Sequence, residues 1–129
     1  MTVVFTNGCF DILHRGHVEL LRFCKKRGRV IVGLNSDESV KKIKGDSRPV
    51  NTQDDRKFLL SSLVFVDDVI IFDDETPYDL IKQLKPDLIV KGGDYDIDNV
   101  SGNDLCEVLI FDYVKEYSTT KLLHDISNR

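Results

Sequence analysis

The chain has 129 residues, 41% of them hydrophobic and 31% charged, with a formal net charge of -4. That length suits one domain with a real core, and the acidic balance excludes a protein that coats nucleic acid, whose phosphates demand a basic excess. Three widely spaced cysteines, Cys9, Cys24 and Cys106, with no Cys-x-x-Cys pair, exclude a disulfide framework or zinc ribbon and fit reduced thiols.

In chain order, the first β-rich run covers residues 3–6. No basic leader or long apolar stretch is visible, and no apolar run is long enough to span a bilayer, so a cytoplasmic protein without membrane contact is expected. The strand leads into Thr6-Asn7-Gly8-Cys9-Phe10-Asp11-Ile12-Leu13-His14-Arg15-Gly16-His17. A helix is predicted over 17–27, with Leu20, Leu21, Phe23 and Cys24 on one stripe. A second strand is predicted over 29–34. The following stretch, 39–50, is rich in Lys and Arg and reads, unaided, as a basic surface loop.

Thr52 is a good N-cap for a helix over 54–63, whose first turn is acidic. A third strand is predicted over 68–72. Thr76-Pro77 then signals a cap followed by proline at the first helical position, opening a helix to about residue 84. The fourth strand, 87–90, runs into Lys91-Gly92-Gly93-Asp94-Tyr95, and the fifth covers 107–111. Ser118-Thr119-Thr120 caps a last helix reaching about residue 126. The strands are continuous Val/Ile/Leu/Phe runs, the pattern of strands buried on both faces. Strand and helix alternate without an internal repeat or linker. The fold class is therefore α/β: a single Rossmann-like domain over 1–129, with a five-stranded parallel sheet flanked by helices.

Open α/β sheets bind ligands at the carboxyl ends of their strands, which directs attention to the first turn. A helix N-terminus there offers unpaired N–H groups and a positive dipole end to a phosphate. Gly8 and Gly16 allow close backbone approach, and His14 and His17, one helical turn apart, can point the same way. Two imidazoles can donate to phosphate oxygens and stabilise developing charge. Zinc is the alternative, but it would need further ligands, and the only other histidine is His124. In the basic run, Lys44 and then Lys41 are the best candidates to reach a bound anion. Ser118, Thr119 and Thr120 provide hydroxyls at a helix start, as a plain cap or as an anion cradle. Lys91-Gly92-Gly93 permits close approach to a base or ribose, or forms a simple tight turn.

The run from Gly8 to His17 resembles the signature of the cytidylyltransferase-like nucleotidyltransferases. Val40-Lys41-Lys42-Ile43-Lys44-Gly45-Asp46-Ser47-Arg48-Pro49-Val50-Asn51, Asp74-Glu75-Thr76-Pro77 and Lys85-Pro86-Asp87-Leu88-Ile89-Val90-Lys91-Gly92-Gly93-Asp94-Tyr95 are similar to the branch that makes ADP-heptose from heptose 1-phosphate. The glycerol-3-phosphate cytidylyltransferase branch is next in likeness, but it carries an Arg-Thr-x-Gly run where this chain has Tyr113-Val114-Lys115-Glu116-Tyr117. The segment between Tyr95 and Glu107 is shorter than in the heptose branch, so a trimmed helix is expected there.

The resemblance implies transfer of a nucleoside monophosphate from a nucleoside triphosphate, with ATP favoured, to a phosphorylated sugar such as heptose 1-phosphate, releasing pyrophosphate. CTP with glycerol 3-phosphate, or a non-catalytic nucleotide-binding relative, remain the alternatives. By the same resemblance His14, His17 and Lys44 are catalytic. Asn7, Gly8, Cys9, Phe10, Gly16, Lys91, Gly92, Asp94, Ser118, Thr119 and Thr120 hold the nucleotide. Asp11, Lys41 and Arg56 meet the acceptor, although a turn cap and a surface salt bridge are the plainer readings of Asp11 and Arg56. Mg²⁺ arrives on the triphosphate, with no protein ligand assigned, and a homodimer is expected.

Overall fold

The computed structural model describes residues 1–93, 96–112 and 119–129. Five strands form one sheet: β1 (Val3–Gly8), β2 (Arg29–Asn35), β3 (Asp68–Phe72), β4 (Leu88–Gly92) and β5 (Glu107–Phe111). The spatial order is β3-β2-β1-β4-β5 and every pairing is parallel. β1 is central, pairing Val4 with Val30 on one side and with Leu88 on the other. The order reverses direction at β1, so the topological switch point lies between β1 and β4, at the end of the sheet where the first turn emerges.

Five helices cover the sheet: α1 (Arg15–Lys25), α2 (Asp37–Lys44), α3 (Gln53–Ser61), α4 (Tyr78–Leu84) and α5 (Thr119–Ser127). Successive strand residues point to opposite faces, which explains why the strands read as unbroken apolar runs. Val4, Val30, Val32, Leu88 and Val90 pack on one face with Leu20, Leu21 and Cys24 of α1 and Leu60 of α3. Phe5, Ile31, Ile89 and Val108 pack on the other with Ile81 of α4 and Val100. A helix as short as α1 is marginal in water. Burying Leu20 and Leu21 stabilises it by about 1.5–3 kcal/mol each and so fixes the position of its N-terminus.

The five-stranded parallel α/β architecture stands as expected, and most elements lie within two or three residues of their predicted bounds. Three differences have clear causes. The basic stretch is not a loop throughout, since its first part is α2. Ser36 caps that helix by accepting from the Ser39 N–H, Asp37 and Glu38 sit in its first turn, and Val40 is buried. α4 begins one residue late, because Pro77 itself takes the cap position and Thr76 lies outside. The trimmed segment before β5 holds only a single 3-10 turn, Ile97–Asn99. After that turn Gly102 adopts a φ of +89°, and a Cβ there would stand 2.8 Å from Ile89 Cδ1. Glycine is what lets the loop lie flat on the core.

Candidate active site

The chain between β1 and α1 folds back on itself. Phe10 takes a left-handed φ of 45°, a conformation that costs on the order of 1–3 kcal/mol outside glycine. Its buried ring fills the space over Gly8, where a Cβ would come within 3.1 Å of Phe10 Cε2. The same ring lies 5.0 Å from that of His17. Glycine at position 8 therefore serves the packing of Phe10, and Phe10 in turn wedges the imidazole in place.

His14 occupies the N-cap of α1 and His17 its third position. Their rings stack with centroids 3.7 Å apart and planes inclined by 23°. The His14 backbone N–H donates to His17 Nδ1 at 3.3 Å. Burial pushes His17 down to about 3, with the neighbouring His14 adding to the effect, and burial lowers His14 as well. Both rings are therefore neutral near pH 7. The first turns of α2, α3 and α4 carry acidic residues, whereas those of α1 and α5 carry none. The neutral side chains of His14 and His17 cap α1, but no acidic residue offsets the positive end of its dipole, which suits an anion site.

His14 and His17 line an open cavity of about 570 Å³ at the carboxyl end of the sheet, together with Asn7, Gly8, Cys9, Phe10, Asp11 and Lys44. That volume is ordinary for a small-molecule site. Lys91, Gly92 and Thr120 also join the lining. The cations Lys44, Arg56, Arg48 and Lys91 all act on the Cys9 thiol. Burial outweighs them and keeps its pKa raised, so the thiol stays protonated. Burial, with Lys44 contributing, also lowers Lys91 despite the opposing effect of Cys9. Lys44 forms no ion pair among the described residues, which leaves its charge available to a ligand.

The structure corrects several assignments. Arg56 is neither an acceptor contact nor a surface salt bridge, because it is 1% exposed and four of its five guanidinium N–H groups have partners within the protein. Nε donates to Asn51 O at 3.0 Å, Nη1 to Cys9 O at 2.8 Å and Asn35 O at 2.7 Å, and Nη2 to Asp37 Oδ1 at 2.8 Å. It ties the first turn, the end of β2 and the segment before α3 together from beneath. Asp11 borders the cavity, but its carboxylate is likewise engaged. It accepts from the Val50 and Asn51 N–H groups and from Arg48 Nε, each at 2.9 Å. Burial alone would raise that carboxyl, but the donations from Asn51, Val50 and Arg48 hold it below its usual range. With its side chain fully buried in these contacts, Asp11 holds the loop at the cavity's edge.

Lys41 is exposed on α2 and does not line the cavity, because only Ile43 and Lys44, at the very end of that helix, reach it. Gly16 is buried as the second residue of α1 and does not line the cavity either. Asp94 and Ser118 lie outside the described residues, and Thr119 begins α5. Sequence reasoning missed Asn35, Arg48, Glu75, Thr76, Asn99 and Ser101, all of which line the cavity. Arg48 lay inside the basic run, and Glu75 and Thr76 lay inside the Asp74–Pro77 stretch that resembles the ADP-heptose branch, but neither signal assigned a role. Among the described residues no three His, Cys, Asp or Glu side chains converge as metal ligands. None of the described helices is long and apolar enough to cross a membrane.

Comparison with known proteins agrees with this geometry. The cytidylyltransferase-like family profile matches residues 5–124. The chain is 57% identical over 123 residues to the bifunctional protein HldE of a Nitratiruptor species, covering 94% of this chain and 27% of that protein. It is 55% identical over 127 residues to HldE of Campylobacter fetus subsp. fetus, covering 97% of this chain and 28% of the relative. The chain thus spans little more than a quarter of the length of these curated relatives. Among solved structures, the lipopolysaccharide core biosynthesis protein of Thermoplasma volcanium superposes with a TM-score of 0.75 at 26% identity. That match covers 89% of this chain and 99% of the other.

Proposed function

The chain belongs to the cytidylyltransferase-like family, and from that premise we propose that it is a nucleotidyltransferase that moves a nucleoside monophosphate from a triphosphate to a sugar phosphate and releases pyrophosphate. The observation that carries this reading is the stacked His14–His17 pair at the N-terminus of α1, in one cavity with Lys44. An acceptor phosphate is already anionic at neutral pH and needs no general base, so catalysis rests on positioning and charge stabilisation. Neutral imidazoles serve that purpose as hydrogen-bond donors. His17 Nδ1 is occupied as an acceptor, so its Nε2–H is the group that reaches the phosphorus-bound oxygens. Lys44 neutralises the charge that builds toward the leaving pyrophosphate. Mg²⁺ enters on the oxygens of the triphosphate itself.

Within this reading ATP is the donor and heptose 1-phosphate the acceptor. The likeness of residues 40–51 and 85–95 to the ADP-heptose branch supports this choice. So do the relatives named HldE and the neighbour named for lipopolysaccharide core biosynthesis. A cytoplasmic homodimer completes the proposal. The test is a pyrophosphate-release assay with ATP and CTP, each against heptose 1-phosphate and glycerol 3-phosphate, with Mg²⁺. Release with ATP and heptose 1-phosphate is expected. Release only with CTP and glycerol 3-phosphate would move the chain to the other branch, and nucleotide binding with no release from any pair would make it a non-catalytic relative.

A further inference from the structure

Two loops at the cavity present polar side chains that the reaction as described does not use. The β3–α4 loop contributes Glu75, and the loop after β4 contributes Asn99 and Ser101. Both loops are anchored by other residues. Asn35 Nδ2 donates to Ser39 Oγ at 2.9 Å, which donates to the Asp74 carbonyl at 2.8 Å, and the Ser36 N–H donates to the Phe72 carbonyl at 2.9 Å. This buried relay fixes the residue just before Glu75. On the other loop Val100 is buried in the second core cluster, Gly102 lies against Ile89 and Ile81, and Asn103 Nδ2 donates to the carbonyls of Ile97 and Asp98. The Tyr78 hydroxyl donates to Asp104 at 2.7 Å and so joins the start of α4 to this loop. Anchored on each side, Glu75, Asn99 and Ser101 make no side-chain hydrogen bond or ion pair among the described residues.

Glu75 and Asn99 are exposed and Ser101 is half-buried, so their side chains are open to a ligand on loops whose backbones are anchored. The chemistry of this part of the cavity differs from that of the phosphate end. Lys44, Arg48, Arg56 and Lys91 all act on Cys9, whereas Glu75 is an anion that would repel phosphate. A carboxylate, an amide and a hydroxyl together both accept and donate, which matches neutral hydroxyl groups. A cation would find only acceptors useful. We propose that Glu75, Asn99 and Ser101 form the subsite that reads the hydroxyls of the acceptor, selecting a polyhydroxylated sugar phosphate over shorter or cationic phosphates. This inference rests on the nucleotidyltransferase reading.

The experiment compares the wild type with Glu75→Ala, Asn99→Ala and Ser101→Ala in the pyrophosphate-release assay, using whichever nucleotide supports turnover. Acceptors are heptose 1-phosphate, glycerol 3-phosphate and phosphoethanolamine. Asn99→Ala and Ser101→Ala should each raise the KM for heptose 1-phosphate by about 3- to 10-fold, the range of one neutral hydrogen bond, and Glu75→Ala by about 10- to 100-fold, the range of one to a charged group. The nucleotide KM, kcat and melting temperature should stay within experimental scatter of the wild type, and preference for heptose 1-phosphate over glycerol 3-phosphate should narrow. An unchanged acceptor KM overturns the subsite. So does a rise in nucleotide KM instead, or a wild type that prefers phosphoethanolamine. If the wild type releases no pyrophosphate with any acceptor, the transferase reading fails by itself. Calorimetric titration with heptose 1-phosphate then still decides the subsite, because equal affinity in wild type and variants overturns it and weaker binding by the variants upholds it.

Discussion

His14 and His17 stack at 3.7 Å, and the bond from the His14 backbone to His17 Nδ1 decides which nitrogen of the second ring carries its proton. With Nδ1 accepting, the hydrogen sits on Nε2, so the neutral ring has a single outward donor. Replacing His17 with alanine removes that donor without touching the core stripe of α1. Turnover should fall about 100- to 1000-fold, the usual cost of one lost transition-state donor, while the circular dichroism spectrum is retained. Retention of activity within about threefold of the wild type would show that the ring does not meet the reacting phosphate.

The same burial makes the fold sensitive to acid. His17 titrates at an ordinary value of 6.5 when unfolded and at about 3 when folded. Below pH 6.5 the unfolded chain binds a proton that the folded chain refuses, so this contribution to stability is complete above 6.5 and drains away as the pH falls toward 3. His14, lowered in the same direction, adds to it. Asp11, whose lowered carboxyl stabilises the fold above its ordinary value of 3.8, loses its contribution only as the pH falls through its folded value. Because burial also lowers Lys91, it is the comparison of wild type with His17→Asn between about pH 7.5 and 4.5 that isolates His17. Melting temperatures should decline across that window in the wild type and decline less in His17→Asn, and equal slopes would refute the assignment.

Arg56→Met tests the buried clamp. The substitution strands the carbonyls of Cys9, Asn35 and Asn51 and leaves Asp37 without its partner. Each carbonyl left unsatisfied costs about 1–3 kcal/mol, while Asp37, whose side chain is 33% exposed, adds little, so a total loss of about 3–5 kcal/mol is expected. Urea unfolding should reveal a loss of that order. A variant as stable as the wild type but with a raised acceptor KM would instead return Arg56 to a ligand-binding role.

Asp11→Asn should release the segment at 48–51. An amide can accept the two backbone N–H groups but turns a donor toward Arg48, which itself borders the cavity. A stability loss of about 1–3 kcal/mol is expected. Limited proteolysis should then cut near residues 48–51 faster than in the wild type.

Lys44 and Lys41 lie one turn apart, yet only Lys44 lines the cavity. Lys44→Ala should slow turnover by about 100-fold, and Lys41→Ala by less than about threefold. Comparable losses in both would mean that the exposed face of α2 also contacts substrate.

The sheet was legible because burial on both faces leaves continuous Val, Ile and Leu runs, and the first turn because its glycines and histidines sit at a strand-to-helix junction. The helix over Asp37–Lys44 was not, because its buried residues are only Ser39 and Val40 and its lysines mask the cap at Ser36. Arg56 illustrates a deeper limit. Nothing local distinguishes an arginine bound for the surface from one whose partners lie 5, 21 and 47 residues away. Glu75, Asn99 and Ser101 converge only through the crossover of two loops, which no spacing in the chain encodes.

The clustering of cations inside an acidic chain bears on how a nucleotide arrives. Before it reaches the cavity's own cations, a triphosphate meets the field of a net charge of -4, which slows encounter rather than steering it. Moderate salt screens this outer repulsion, with a decay length of about 8–10 Å near physiological ionic strength, before it weakens contacts inside the cavity. The association rate should therefore hold steady or rise slightly as salt is added, whereas the dissociation rate climbs once Lys44 and its neighbours are screened in turn.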